Sequence, residues 1–271
     1  MKKNMTRRTF CLSAVAPAIL RAQKGPKRAQ ELMDKITFAL GGDAFRNMQS
    51  RLETGRAYSF YNEELTGLSI ARIYTRYLKP EVNPAADSIF MEQRQIFGKK
   101  QDVAAILTPN NAWEVTFRGA RELGAERIQQ FRDTTLRDVF YMLRMRRQEP
   151  DFGADALGTD VVENQQVEGV DFFDRQNRQV TVWFNAQTLL PLKQRFMLFD
   201  GKLGRRREEI TRYSKYRDIG NGVMWPYDIQ RERDGDKTFQ MFSEEVRAGV
   251  PIDSGMFQLP PGMPVLNSKK K

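Results

Sequence analysis

Adjacent carboxylates stand at Glu63-Glu64, Glu208-Glu209 and Glu244-Glu245. Neighbouring side chains on a strand point to opposite faces, so none of these pairs can share a substrate as general acid and base. The chain has no histidine, and its single cysteine is Cys11. Those two absences remove the commonest general base, the commonest metal ligand and the thiol nucleophile from everything downstream. Asp234-Gly235-Asp236 is acidic but lacks the remaining oxygen ligands of a calcium loop, and it reads as a hairpin turn. No Gly-x-Ser-x-Gly or Walker loop occurs, and the only Ser-x-x-Lys, Ser268 to Lys271, falls in a polar tail. A Ser–Lys pair assembled from distant strands is the one nucleophilic arrangement left open. The expectation is therefore a protein with no catalytic residue, no metal and no cofactor, whose functional side chains are apolar.

The candidate ligand-binding residues are Trp113, Phe117, Val180, Val182, Phe184, Trp225, Tyr227 and Ile229. Trp113 and Phe117, the series Val180-Val182-Phe184, and the series Trp225-Tyr227-Ile229 fall at even spacing, so each set shares one face of a strand. Thr181 and Trp183 put apolar groups on the second face of the Val180 strand as well, which places it centrally in a sheet. Asp228, Gln230 and Glu232 oppose the Trp225 series and give that strand one dry and one wet face. Such residues serve equally as ordinary core under a helix or as the lining of an apolar cavity.

The elements that must hold these side chains follow from period and punctuation. Leu32, Ile36 and Leu40 recur at helical spacing over Lys27 to Leu40, and Gly41-Gly42 supplies the stop; Asp43 to Met48 is a brief helical turn or loop. Strand alternation then runs over Arg51–Tyr61, Thr66–Leu78, Ser88–Phe97, Asp102–Thr108 and Ala112–Phe117. One amphipathic interruption follows, with Ile128, Phe131, Leu136, Val139, Phe140 and Leu143 within one arc at 100° per residue. Asp133-Thr134-Thr135 offers a cap for a restart, so one helix or two fit the pattern. Strands resume at Thr159–Val167, Val170–Arg175, Arg178–Phe184, Pro191–Phe199, Glu208–Tyr216, Met224–Arg233 and Lys237–Val246. Their connectors are Glu168-Gly169, Gln176-Asn177, Asp200-Gly201-Lys202, Gly220-Asn221-Gly222 and Asp234-Gly235-Asp236. About a dozen short-linked strands predict a mainly β (α+β) chain: a curved antiparallel sheet forming an unclosed β-barrel, with the helices covering its concave face.

At the start, Lys2 and Lys3, the pair Arg7-Arg8, an apolar run from Phe10 to Leu20 and the small residues Ala16-Pro17-Ala18 read as an export signal of the twin-arginine type. The run is too short to cross a bilayer. The expected division is an export signal at 1–23, one domain at 24–262 and a polar basic tail at 263–271, with the product periplasmic or secreted. The formal net charge is +10, but losing Lys2, Lys3, Arg7, Arg8 and Arg21 takes 44 basic residues to 39 against 34 acidic, or +5. The remaining basic clusters are scattered among acidic neighbours, which argues against nucleic acid as a partner and reads as a solvated surface, with attraction to an anionic membrane or another acidic surface as the alternative.

Several pieces carry a family resemblance. Ala39-Leu40-Gly41-Gly42 ends a helix before the first strand, a helix is inserted after the fifth, and Leu189-Leu190-Pro191-Leu192 precedes the run from Tyr213-Ser214-Lys215-Tyr216-Arg217 to Gly222-Val223-Met224-Trp225-Pro226. Together with the ending Val250-Pro251-Ile252-Asp253 to Phe257-Gln258-Leu259-Pro260, these resemble the LolA-like outer-membrane lipoprotein-sorting superfamily over about Leu32 to Pro261. The resemblance implies an unclosed barrel wrapped around helices whose apolar hollow accepts lipoprotein acyl chains or other lipids. On that basis the expected function is an exported, non-enzymatic carrier of a hydrophobic ligand in the cell envelope, with a membrane surface or envelope protein as possible partner. The competing expectation is a structural or protein-interaction module whose barrel is filled by its own helices.

Overall fold

The computed structural model describes residues 25–82, 84–201 and 204–266; the expected export signal and the last residues of the basic tail lie outside them. Helix α1, Pro26–Ala39, starts on a proline whose missing N–H costs nothing at a helix start. It buries Ala29, Leu32, Met33 and Ile36 as one stripe. At its end Gly41 has φ 118°, and a Cβ there would lie 2.8 Å from the Gly222 carbonyl oxygen, so only glycine lets the chain pass. Helix α2, Gly42–Asn47, then leads into the sheet.

The strands are β1 Ser50–Tyr61, β2 Glu64–Tyr77, β3 Met91–Phe97, β4 Val103–Leu107, β5 Ala112–Thr116 and β6 Gly119–Glu122. After the helical segment come β7 Gly153–Val162, β8 Gln165–Phe173, β9 Val180–Asn185, β10 Pro191–Asp200, β11 Arg205–Asp218, β12 Met224–Arg233 and β13 Asp236–Ala248. They form one 13-stranded antiparallel sheet in the order β6-β5-β4-β3-β2-β1-β13-β12-β11-β10-β9-β8-β7. Two meanders are thus joined where β1 pairs with β13, and β6 and β7 are the end strands of an open barrel, each met only by an isolated bridge, Ala120 to Val265 and Ala156 to Gly25. Helix α3, Ala125–Leu136, helix α4, Val139–Tyr141, and a π-helical turn, Met142–Arg146, carry the chain between those edges across the concave face.

Three local expectations are corrected. The β7–β8 turn is Glu163-Asn164, with φ 52° and 60°, rather than Glu168-Gly169. Gly169 instead lies inside β8 opposite Trp183, where an added Cβ would press to 3.2 Å on Leu157 Cβ, so its role is close packing rather than turning. The interrupted helix restarts at Asp138, whose side chain accepts from the Tyr141 N–H, and not at Asp133-Thr134-Thr135. Finally, Phe117 is not part of a strand: β5 ends at Thr116, and β6 follows after a tight turn.

The main core lies between α1, α4 and the strands β7 to β12, with Leu32, Ile36, Phe140 and Leu143 packed on Val170, Phe172, Val182 and Phe196. A second cluster packs Phe131 and Leu136 of α3 onto Met91, Leu107 and Ala112. A third lies on the opposite, convex face, where the segment around Phe257 covers Ile106, Val115 and Ala120.

Candidate functional site on the concave face

Val180, Val182, Phe184, Trp225, Tyr227 and Ile229 come together on the concave face within the main cluster. Most of that space is taken by the protein's own helix. The Phe140 ring sits 4.3 Å from Trp225 and 5.3 Å, edge-on, from Tyr213. Ile229, only partly buried, is the member of the set that reaches the edge of this packing. Trp113 and Phe117 do not join it. Trp113 pairs with Ile106 on the convex face beside the Phe257 segment, and Phe117 is 82% exposed at the β5–β6 turn with the Arg118 guanidinium over its ring.

Beyond the helices the same face continues toward the hairpin tips of the central strands. Cross-strand pairing runs Tyr213–Ile229–Met241–Ala57–Ser69, and beside it Ser243–Gly55–Ala71–Phe97. Ala57, Ala71 and Met241 form a separate apolar cluster with Phe97 and Phe239 against it, and none of its members is helical. Side chains directly opposite on adjacent strands lie about 5 Å apart, so these residues make one continuous track across β12, β13, β1, β2 and β3. Its floor is glycine and alanine, and it is closed in this structure: Ala57, Ala71 and Met241 are 6, 0 and 2% exposed, with Phe97 and Phe239 packed against them. The expected β-forming residues of β1, namely Leu52, Thr54, Tyr58 and Phe60, point the other way.

Polar groups stand at the inner end of the track. Arg51 lays its guanidinium 3.7 Å from the Trp225 ring centre, donates to the Tyr77 hydroxyl at 3.2 Å and approaches Glu53 at 3.8 Å; Glu53 accepts from Ser243. Burial raises the Asp138 carboxyl above its ordinary value, against the opposing pull of the Tyr141 N–H, Arg51 and Arg231. Burial also pushes the Tyr213 and Tyr216 hydroxyls well up. Arg51 and Glu53 approach each other and Asp138 caps the Tyr141 N–H, whereas Arg51 Nε, the Tyr213 hydroxyl and the Trp225 indole N–H are buried without a hydrogen-bond partner; the Ser243 hydroxyl on Glu53 is the one hydroxyl–carboxylate contact in this group. Among the described residues no group of three His, Cys, Asp or Glu is placed to hold a metal ion, and no helix is long and apolar enough to cross a membrane.

Two open clefts of about 550 and 620 Å³ lie elsewhere: one at the far end of β1 and β13 beside Met48, Tyr77 and Val250, the other beside Ile89, Glu92 and Arg132. Both mix polar with apolar walls and lie away from the glycine–alanine floor. The track itself was hidden in the sequence, because Gly55, Ala57 and Ala71 carry no apolar signal and meet Ile229 and Met241 only once β1 pairs with β13.

No protein-family model and no curated protein matches the chain. Solved structures do. An outer membrane lipoprotein-sorting protein domain from Vibrio parahaemolyticus superposes with TM-score 0.55 at 11% identity, covering 86% of this chain and 97% of that one. A DUF1329 family protein from Desulfovibrio piger gives TM-score 0.58 at 11% identity over 85% and 97% of the two chains. A LolA superfamily protein from Nitrosomonas europaea gives 0.50 at 12% identity over 84% and 96%. At such identities the likeness is one of fold alone, and the open 13-stranded sheet wrapped around its helices is a LolA-like fold.

Proposed function

We propose that the chain is an exported, non-enzymatic carrier of a hydrophobic ligand, an acyl chain or similar apolar tail, acting in the cell envelope as one domain over 24–262 behind an export signal at 1–23. The observation that carries this reading is the apolar cluster of Met241, Ala57 and Ala71 on the concave face, none of whose members is helical and which Phe97 and Phe239 cover and must uncover to admit a ligand. Apolar burial drives such binding without precise polar contacts, at up to about 0.8 kcal/mol per methylene. The lipoprotein-sorting neighbours share this fold, which supports the reading.

A second reading, a self-filled interaction module, is favoured by one observation: Phe140 occupies the space between Tyr213 and Trp225 where a ligand of the predicted set would sit. One experiment separates the two. Native protein is extracted and its lipids read by mass spectrometry, then stripped protein is titrated with fatty acids of increasing length. The carrier reading expects co-purifying lipid, affinity that climbs with chain length, and loss of both in Ser59→Trp, an exposed concave position paired with Phe239. Lipid-free protein with no length dependence supports the self-filled module.

A further inference from the structure

Strand β2 spans Glu64–Tyr77, yet β3 covers its outer edge only from Ala71 to Tyr77. The last bond on that side runs from the Gly98 N–H to the Ile70 carbonyl at 3.0 Å. Beyond it, Glu64 to Ser69 is about 20 Å of strand at ~3.3 Å per residue with no neighbouring strand on that edge among the described residues. Peptide groups alternate in direction along a strand, so Leu68, like Ile70, turns its N–H and C=O outward. The arm is also apolar where solvent would favour polarity: Leu65, Leu68 and Ile70 are 56, 61 and 49% exposed, and Tyr61 at the turn is 72% exposed. Natural edges are blunted by lysine or proline, and Glu64-Leu65-Thr66-Gly67-Leu68-Ser69-Ile70 contains neither.

Charge is sorted along this arm. Exposed Glu63 and Glu64 sit at its tip, and exposed Lys99 and Lys100 sit at its base, directly after the Gly98 that bonds Ile70. When two such edges meet antiparallel, the tip of each reaches the base of the other, so both acidic tips land beside both lysine pairs by the same two-fold operation. An anionic membrane would instead meet the acidic tip first, which is unfavourable. We propose that the outer edge of β2 over Glu64–Ile70 pairs antiparallel with the same edge of a second copy of this chain, extending the sheet into a two-fold dimer.

Light scattering of the full-length protein across a concentration series tests this, together with charge exchange. A concentration-dependent shift from monomer to dimer mass is expected. Replacing Lys99→Glu and Lys100→Glu together raises the dimer dissociation constant at least about tenfold, and adding Glu63→Lys and Glu64→Lys to the same chain restores it. In a Cys11→Ser background the chain has no other thiol, so Leu68→Cys near the two-fold axis is expected to give a covalent dimer under mild oxidation. A monomer mass at every concentration, a charge exchange that fails to restore association, or an arm that stays monomeric while floating with anionic vesicles overturns the proposal.

Discussion

Two aspartates near the helical crossover carry opposite pH signatures, and the reason lies in their partners. Asp174, its side chain 2% exposed, accepts from Arg146 at 2.8 Å and from Arg178 at 2.7 Å, and also from the backbone N–H groups of Gln176 and Arg178. Burial alone would raise this carboxyl, but the two arginines outweigh it and hold it at about 2. Its folded value lies below the unfolded ~3.9, so its stabilisation is present above about pH 4 and is lost as pH falls toward 2. Asp174→Asn takes one carboxylate from Arg146, which keeps Glu149, and from Arg178, which keeps Asp87, and is expected to cost about 1–3 kcal/mol in urea titrations at pH 7, with a flatter acid limb than the parent. Asp138 runs the other way. Burial raises it, so its contribution is complete below the unfolded value and declines as pH rises through the folded one. Asp138→Asn keeps a side-chain oxygen for the Tyr141 N–H, so that variant should match the parent near pH 3 and exceed it in stability at pH 7. Asp138→Ala removes the cap and is expected to lose about 1 kcal/mol at either pH.

At the scale of elements, legibility followed local chemistry. Helix α1 and the Asp234-Gly235 hairpin were readable because a 3.6-residue period and a left-handed Asp-Gly pair are properties of consecutive residues. The Glu163-Asn164 turn was not, because nearby Gly169 gave a stronger turn signal while serving to let Leu157 pack across the strands. Strand β6 was missed for its length, being held by pairing to β5 and by Ala120 bonding to Pro264 and Leu266. That last contact also decides Trp113. The carboxy-terminal segment docks Phe257 under the Arg76 guanidinium, 4.7 Å from the ring, and Arg94 donates to the Met256 carbonyl at 3.0 Å. Trp113 is therefore half-buried beneath this flap rather than facing the hollow. Phe257→Ala empties a buried site and is expected to cost about 3–5 kcal/mol by chemical denaturation, with tryptophan emission moving to longer wavelength as Trp113 meets water.

For the whole molecule, the decisive join is the one with the greatest sequence separation. β1 to β6 and β7 to β13 each pair in sequence order, but neither run contains the track; it exists only where β13 lies against β1 and brings Met241 beside Ala57. A contact of such sequence separation carries a large loop-closure entropy, which slows folding where the topology depends on it. The seam also carries a register shift between Thr54 and Gly55. A Cβ on Gly55 would fall 2.0 Å from the Phe242 carbonyl oxygen and 2.8 Å from Ser243 Cα, backbone atoms that cannot move aside without parting the strands. Gly55→Ala is accordingly expected to cost about 3 kcal/mol or more and to slow refolding, with apolar-probe binding lost in the fraction that unfolds. Gly67→Ala is the matched control: its added Cβ would meet Ser59 Cβ at 3.6 Å, an ordinary contact, and its stability should stay within about 0.5 kcal/mol of the parent. A Gly55→Ala chain as stable and as fast to refold as that control would mean the two meanders do not depend on this seam, and that the apolar track is not created by their closure.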